Sequence, residues 1–358
     1  MTDRLINVEA LARHLRSEKV PDSDIVRPHT PLLFSPFAMP YAFEHDATCP
    51  LWDSYLAGVQ PDPADREVLQ MLAGLALVPD TNYNVFFMLY GEAGTGKSVF
   101  LYVLTELVGR ANVCCLPLSK FADRFSTWML TAYLLNVVGD MPTEVENGPS
   151  LHSEEGVLKD ATDGGLMPVE HKGVDPTQAT AIARCVFATN SMPRFTDLSA
   201  ALWDRLRIIP FDVRFRGTGQ EIPNLRYTIA ETELPGVFLW AVRGLAKLRG
   251  LVRFPEHSGG LAAKQRHREA CDPERTYLEE TYERTSGNRY VDASKAYTEF
   301  CEWVHSLGMN KRGEARFKES VRRVFGVEQS RNRMDGNERK RVYWGLQRRG
   351  GIADEREF

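Results

Sequence analysis

The segment Gly91-Glu92-Ala93-Gly94-Thr95-Gly96-Lys97-Ser98 constrains the fold of this 358-residue chain more than any other stretch. It matches the pattern G-x-x-x-x-G-K-S/T at every fixed position. The apolar run 83–90 before it predicts a buried strand, and residues 99–108 after it predict a helix. A strand, a glycine-rich turn and a helix in this order form a phosphate-binding loop. A glycine-rich turn that binds nothing is the alternative, and the flanking elements make it the weaker one.

The residue types of this loop suit the binding of ATP and Mg²⁺. Glycines let the backbone wrap so that successive N–H groups face a triphosphate, and the following helix adds its positive N-terminus. Lys97 is expected to reach the β- and γ-phosphates, and Ser98 to place its hydroxyl on Mg²⁺. The residues expected to bind the nucleotide are Gly91, Gly94, Thr95, Gly96, Lys97, Ser98 and Val99.

Composition excludes a membrane protein and argues against a fold that depends on a structural metal ion. Neither end carries an apolar run long enough for a signal or transmembrane segment, which predicts a cytoplasmic location and no membrane contact. The six cysteines show no C-x-x-C spacing and no paired spacing with histidines, so we expect reduced thiols and no zinc site.

Two further predicted strands end in polar side chains. Residues 133–139 are an apolar run that ends at Asp140, and we expect Asp140 to coordinate Mg²⁺ together with Ser98. Residues 183–189 form a similar run that ends at Asn190, a side chain able to hold the attacking water. The alternatives are a chance acid at a strand end and an Asn that caps the next turn.

Basic side chains follow in two places. Residues 164–175 predict a β-hairpin with a His171-Lys172-Gly173 tip, and a projecting basic tip suits contact with a phosphate backbone, although a solvated lysine turn would look the same. Arg205 and Arg207 stand ahead of a fourth predicted strand, and one of them is a candidate arginine finger for the nucleotide of a neighbouring subunit.

The order GEAGTGKS, LLNVVGDMP, LKDATDGG, CVFATNSMP and ALWDRLRIIPF resembles the helicase core of phage and plasmid primase-helicases. These are related to poxvirus primase-helicases and grouped in helicase superfamily three, within the AAA+ ATPases. The resemblance covers roughly residues 28–250 and continues more loosely to about 345. It implies an α/β fold: a P-loop core with a parallel sheet flanked by helices, a small N-terminal helical domain and a winged-helix-like C-terminal domain.

The resemblance also implies a role for each motif residue. Lys97 and Ser98 would bind ATP with Mg²⁺, Asp140 would be the strand acid and Asn190 the sensor asparagine. Arg205, in its Trp-Asp-Arg-Leu context, matches the finger arginine of the family better than Arg207 does. His171 and Lys172 fall on the hairpin that projects into the central channel of such rings and tracks single-stranded DNA.

The sequence departs from the family in two ways. Many relatives have two adjacent acids at the second-strand motif, whereas Asp140 stands alone here, so Glu144 is a candidate for the catalytic base and the assignment stays open. Relatives often carry a primase-polymerase domain ahead of the helicase, and about 80 residues cannot hold one. We therefore expect a stand-alone helicase of a small mobile element, with a separate primase or host replication proteins as partners.

The C-terminal part of the chain differs in charge from the rest. Residues 1–213 carry a net charge of −11 and residues 214–358 a net charge of +7. Helical spacing over 277–282, 293–304 and 315–325, followed by a basic hairpin, predicts a winged helix-turn-helix. It would bind DNA through phosphates, unless the charge is only a solvated face. The residues proposed to contact DNA there are Arg316, Arg322 and Arg323.

Three predicted domains follow: residues 1–80, an extended connector with a helical domain; residues 81–255, the helicase core; and residues 270–350, the basic domain. The function that fits them best is an ATP-driven, hexameric DNA helicase that acts on single-stranded and forked DNA. Two alternatives remain open: a replication initiator that uses ATP only to assemble on DNA, and an ATP-dependent remodeller of protein partners.

Overall fold

A computed structural model describes residues 4–28, 36–141, 152–197, 199–286, 289–307, 313–333 and 339–350. The chain divides into two compact units, Met1–Gln265 and Arg266–Phe358. In the described residues, no helix is long and apolar enough to cross a membrane.

The first unit alternates strands and helices. Its strands are β1 (Arg4–Ile6), β2 (Val26–Pro28), β3 (Phe86–Tyr90), β4 (Val113–Cys114), β5 (Leu135–Val138), β6 (Leu166–Val169), β7 (Thr177–Thr180), β8 (Arg184–Thr189) and β9 (Leu206–Pro210). Its helices are α1 (Val8–Leu15), α2 (Asp22–Ile25), α3 (Pro50–Val59), α4 (Pro63–Leu75), α5 (Lys97–Val108), α6 (Trp128–Ala132), α7 (His152–Asp163), α8 (Ala200–Arg205), α9 (Leu225–Thr232), α10 (Leu234–Leu248) and α11 (Ser258–Cys271), the last of which runs past the division at Gln265.

A five-stranded parallel sheet in the order β4-β5-β8-β3-β9 forms the centre of this unit. Residues 86–89 of β3 and all residues of β8 are buried, as expected for strands covered by helices on both faces. The predicted mixed α/β fold with a parallel sheet is thereby confirmed. The strand order itself adds that β8 lies between the strand of the phosphate loop and the strand of Asp140.

Because all five strands are parallel, one edge of the sheet collects their carboxyl ends. The phosphate loop follows β3 at this edge, Asp140 follows β5, and Asn190 follows β8. Arg205 directly precedes β9 and therefore lies at the opposite edge. The register pairs Phe86 with Leu206 and Tyr90 with Pro210, so Arg205 and the phosphate loop are separated by about the full length of β9.

Helices α3, α4 and α10 share one hydrophobic core with the sheet. Trp52 of α3 stacks on Phe100 of α5 at a ring-centroid distance of 5.7 Å. α4 and α10 pack closely because Gly74 carries no side chain: a Cβ at this position would lie 2.3 Å from the carbonyl oxygen of Ala241. Asp62 caps α4 by accepting a hydrogen bond from the amide of Ala64 at 2.9 Å. The predicted domain boundaries at 80 and 255 stay predictions.

The second unit places helices around a small antiparallel sheet. Its elements are α12 (Pro273–Thr281), β10 (Tyr282–Arg284), β11 (Tyr290–Asp292), α13 (Ala293–Ser306), α14 (Glu314–Phe325), β12 (Gln329–Arg333), β13 (Arg339–Trp344) and β14 (Leu346–Arg348). β13 lies between β11 and β12, and β10 pairs with β14. Phe300 of α13 stacks on Phe317 of α14 at 4.8 Å in the core of this unit.

Candidate functional site

The phosphate loop is held in a conformation that requires its glycines. Gly94 and Gly96 have φ angles of +85° and +96°, which L side chains rarely adopt. A Cβ at Gly96 would lie 2.7 Å from Cγ1 of Val59, and one at Gly91 would lie 2.1 Å from the carbonyl oxygen of Phe211. The loop is thus a tightly packed backbone cradle that leads into α5, whose N-cap residue Gly96 has no side chain to cap the helix.

Lys97 lies at the centre of the loop and is almost fully buried, with 7% of its surface exposed. Its ammonium group donates hydrogen bonds to the carbonyl oxygens of Gly91 and Glu92, at 2.5 and 2.8 Å, and to Oδ1 of Asn190 at 3.0 Å. The three donors of this group are all engaged. The structure therefore brings together the phosphate-loop lysine and the asparagine at the end of β8.

The electrostatics of Lys97 reflect its surroundings. Burial lowers the pKa of Lys97, and the negative charge of Asp140 opposes that change. Asp140 itself is exposed at the end of β5, near enough to act on the lysine. The lysine, Asp140 and Asn190 thus belong to one site at the carboxyl edge of the sheet.

This site fits a magnesium-bound nucleoside triphosphate on three observations. The glycine cradle leaves no room for a Cβ, the N-cap residue of α5 is a glycine that has no capping side chain, and a buried lysine lies within the loop. The hydroxyl of Ser98 and the carboxylate of Asp140 are the oxygen groups that a Mg²⁺ ion prefers. Glu144, the second acid considered from the sequence, lies outside the described residues.

Residues distant in sequence support the loop. The hydroxyl of Tyr55 on α3 donates to the carbonyl oxygen of Gly96 at 3.0 Å. On the other side, the amides of Phe215 and Arg216 donate to the carbonyl oxygen of Gly94 at 2.9 and 3.3 Å. These contacts did not emerge from the sequence, because no local pattern links residues so far apart.

Asn190 is followed by a loop that α7 holds in place. The carboxylate of Glu155 is fully buried and accepts hydrogen bonds from the amides of Thr196 and Asp197, at 2.7 Å each. Lys159, also on α7, forms an ion pair with Asp197 at 2.7 Å. The loop between Asn190 and α8 is therefore anchored at its far end, a role for Glu155 that the sequence did not indicate.

The two arginines ahead of β9 have different surroundings. Arg205 pairs with Asp163 at the end of α7, with Nε donating to Oδ1 at 2.9 Å. Arg207 is buried and donates to the carbonyl oxygen of Phe254 while pairing with Glu256 at 3.2 Å. The structure does not bring Arg205 to the phosphate loop of its own chain.

The predicted hairpin is formed by β6 and β7, which pair antiparallel from Leu166–Thr180 to Val169–Thr177. His171 and Lys172 are exposed at its tip. The rings of Trp128 and His171 lie 5.1 Å apart, and Arg124 pairs with Glu170 at 2.6 Å. The segment before β5 therefore contacts the hairpin next to its exposed basic tip.

In the second unit, two of the three proposed DNA-contacting arginines are paired with shielded carboxylates. Arg316 lies 3.1 Å from fully buried Glu274, and Arg323 lies 2.6 Å from Asp272. Arg322 contacts exposed Glu328 at a longer distance of 3.5 Å. The first two arginines hold α14 against the start of α12, whereas Arg322 and its partner Glu328 are both mostly exposed.

Comparison with known proteins gives a distant relationship. Residues 89–205, from β3 through the end of α8, match a family of unknown function (DUF5906). The chain is 23% identical over 276 residues to "Putative helicase 121R" of Invertebrate iridescent virus 3; the match covers 69% of this chain and 29% of that protein. The chain thus spans less than a third of its viral relative.

Solved structures share the fold. The apo structure of the NrS-1 C-terminal region matches with a TM-score of 0.53 and 11% identity, covering 96% of this chain and 82% of that one. The A form apo structure of the same region matches with a TM-score of 0.50 and 12% identity at the same coverage. This chain is therefore a distant relative of a viral protein named as a helicase, with the fold of the NrS-1 C-terminal region.

Proposed function

We propose that this protein is an ATP-driven DNA helicase of superfamily three that works as a ring, with six protomers and ATP bound between neighbours. The observation that carries the proposal is the 3.0 Å contact between Nζ of Lys97 and Oδ1 of Asn190. It joins a phosphate-binding cation to a polar group able to position water, which is the combination that hydrolysis of a γ-phosphate requires. The distant viral relative named as a helicase supports the same conclusion.

In this proposal each protomer contributes to two nucleotide sites. Lys97, Ser98, Asp140 and Asn190 bind ATP at the carboxyl edge of the sheet; Mg²⁺, held by Ser98 and Asp140, would neutralise phosphate charge. Arg205 lies beyond the amino end of β9. Because β9 has five residues, each spanning about 3.3 Å, Arg205 lies about 16 Å from the phosphate loop of its own chain. It is therefore better placed to serve a neighbouring protomer, whereas buried Arg207 is engaged within its own chain.

Mixed rings test the division of the site between protomers. Lys97→Ala removes the phosphate cation and Arg205→Ala the finger, so each variant alone should lose ATP hydrolysis by about 10²-fold or more. A one-to-one mixture of the two should recover part of the activity, because some interfaces then combine an intact Lys97 with an intact Arg205. If the mixture stays inactive although both variants assemble, or if Arg205→Ala alone keeps full activity, the shared site is wrong.

Two controls separate a catalytic Arg205 from a structural one. Asp163→Asn removes the partner of Arg205 but keeps the arginine, so it should retain hydrolysis if the Arg205–Asp163 pair is only a resting position. Arg253→Ala removes an exposed arginine elsewhere in the first unit and should leave hydrolysis unchanged. Thermal unfolding of every variant shows whether the fold is intact.

The hairpin is the proposed contact with single-stranded DNA. Its tip carries the exposed cation Lys172 beside His171, and the contacts of Trp128 and Arg124 with the hairpin would transmit movement of the sheet to the tip. Lys172→Ala should reduce stimulation of the ATPase by single-stranded DNA and abolish fork unwinding, while leaving the DNA-free ATPase unchanged. Exposed Lys19, in the first unit, provides the matched control.

The same assay distinguishes the other functions considered. A replication initiator would bind DNA and ATP without separating a fork, and a remodeller of proteins would show an ATPase indifferent to single-stranded DNA and to Lys172→Ala. Fork unwinding that requires both Lys97 and Lys172 is the result that supports a helicase over both.

For the second unit we propose a winged helix that binds DNA through phosphates, with α14 and the β12–β13 hairpin on the DNA side. Three helices followed by an antiparallel hairpin, with β11 as a third strand, support this arrangement. Arg322 and Lys318 are the exposed cations of α14 best placed for it. The binding should weaken steeply with salt, because it depends on release of counterions from DNA.

A further inference from the structure

The segment that follows β9 runs along the phosphate loop and is fixed to it. The amide of Phe211 donates to the carbonyl oxygen of Tyr90 at 2.7 Å. Farther on, the amides of Phe215 and Arg216 both donate to Gly94, in the middle of the loop, at 2.9 and 3.3 Å. The backbone of this segment therefore keeps a defined register against the phosphate-binding backbone.

Phe215 and the turn after it give the segment its own structure. Phe215 packs against the main core, and a Cβ at Gly58 would lie 3.4 Å from its ring. The amide and the hydroxyl of Thr218 both donate to the carbonyl oxygen of Phe215, at 3.0 and 2.6 Å. Because Phe215 points into the core, its neighbours Arg214 and Arg216 face solvent beside the loop.

Both arginines lie against the phosphate loop. A Cβ at Gly94 would lie 2.4 Å from Cβ of Arg216, so the Arg216 side chain starts directly over the middle glycine. Nη1 of Arg214 lies 3.6 Å from Oε2 of Glu92, inside the loop, and both of these side chains are mostly exposed. Within the described ranges, no carboxylate lies within 4.0 Å of the Arg216 guanidinium, so its charge is available to a ligand.

We propose that Arg216, with Arg214 beside it, binds the phosphate chain of the nucleotide held by its own protomer. The inference rests on the proposed binding of ATP and adds a cation that the loop pattern does not contain. Arg205 cannot fill this role in its own chain, because it lies at the other edge of the sheet. A guanidinium group is suited to it, since its fork of donors matches phosphate oxygens in pairs.

Equilibrium binding of a fluorescent, non-hydrolysable ATP analogue to the full chain tests the proposal. Arg216→Ala should weaken binding about tenfold, the effect of losing one charge-assisted contact. Arg216→Lys should fall between the two, because it keeps the charge but not the paired donors. Arg214→Ala should have a smaller effect, since Arg214 already has Glu92 as a partner.

The controls separate this proposal from the function on which it rests. Arg253→Ala should bind the analogue like the wild type, and the nucleotide-free unfolding temperature of Arg216→Ala should be unchanged, because the side chain is exposed. If Lys97→Ala weakens binding while Arg216→Ala stays within twofold of the wild type, the role of Arg216 is wrong and ATP binding stands. If the wild type does not bind the analogue, or binds it independently of Lys97, both proposals are overturned.

Discussion

The ammonium group of Lys97 lies 3.0 Å from the amide oxygen of Asn190, although 93 residues separate them in the chain. The contact exists because β8, which ends at Asn190, lies directly beside β3, which leads into the phosphate loop. The amide of Asn190 is therefore in direct contact with the ammonium group that is proposed to bind phosphate. In the proposed ATPase, a phosphate oxygen would bind the ammonium group in place of Asn190, and the amide would then be free to position water.

Replacing Asn190 should separate binding from hydrolysis. Asn190→Ala leaves the glycine cradle and Lys97 in place, so ATP affinity should change less than about threefold, whereas the rate of hydrolysis should fall by about 10²-fold because the water loses its positioning group. Analogue binding and single-turnover hydrolysis measure the two quantities. A variant that loses affinity and rate in equal proportion would show that Asn190 acts in binding instead.

The glycines of the loop allow a test of backbone strain against steric overlap. Gly96→Ala should lower the free energy of unfolding by about 2–4 kcal/mol, because Gly96 combines a φ of +96° with a Cβ position only 2.7 Å from Val59. Gly173 is the control: its φ is +80°, but nothing lies within 4 Å of its Cβ position. Gly173→Ala should cost about 1–2 kcal/mol in chemical denaturation, from strain alone. Equal losses for the two variants would rule out the overlap at Gly96.

The elements around the loop could be predicted because their signals are local. Apolar runs and helical spacing are set by which faces of an element are buried, and they placed β3, α5, β5 and β8 to within a few residues. The order of the strands has no such local signal. That β8 lies between β3 and β5 depends on where each connection crosses the sheet, and the contact between Lys97 and Asn190 follows from that order.

The supporting contacts and the pairing of charges could not be predicted for a related reason. Tyr55 reaches Gly96 from α3, and Phe215 reaches Gly94 from beyond β9, without any pattern that links them. A count of basic residues in the second unit likewise does not show which are neutralised. Arg316 and Arg323 contribute to that count, yet they face the shielded carboxylates of Glu274 and Asp272.

Two adjacent cysteines should differ sharply in reactivity. Burial raises the pKa of Cys114 to about 12, and it does the same for Cys185, whereas Cys115 is exposed directly after β4. At pH 8 a thiol with that pKa is about one part in 10⁴ thiolate, the reactive form. Iodoacetamide should therefore modify Cys115 of the folded protein within minutes and leave Cys114 and Cys185 unmodified. Mass spectrometry of peptides from the labelled protein measures the modification of each cysteine. In Cys115→Ser the peptide that contains Cys114 should stay unmodified; rapid labelling there would show that the thiol of Cys114 is accessible and not buried.

The basic residues of α14 should divide into structural and DNA-facing groups. Arg316→Ala should lower the free energy of unfolding by about 1–2 kcal/mol, because it removes the cation that lies 3.1 Å from fully buried Glu274. Arg322→Ala should cost less than about 0.5 kcal/mol, because both Arg322 and its partner Glu328 are exposed. Chemical denaturation of the two variants gives the comparison, and equal losses would contradict the different roles of the two pairs.

DNA binding should show the opposite ranking. Arg322→Ala should reduce the salt dependence of binding by about one unit in the slope of log affinity against log salt, because one phosphate contact is lost. Arg316→Ala should leave that slope unchanged under conditions where the variant is folded, since its charge is already held by Glu274. Fluorescence anisotropy with a short duplex at several salt concentrations measures both slopes. If Arg316→Ala changes the slope and Arg322→Ala does not, then α14 presents its other face to DNA, and the proposed orientation of the winged helix is wrong.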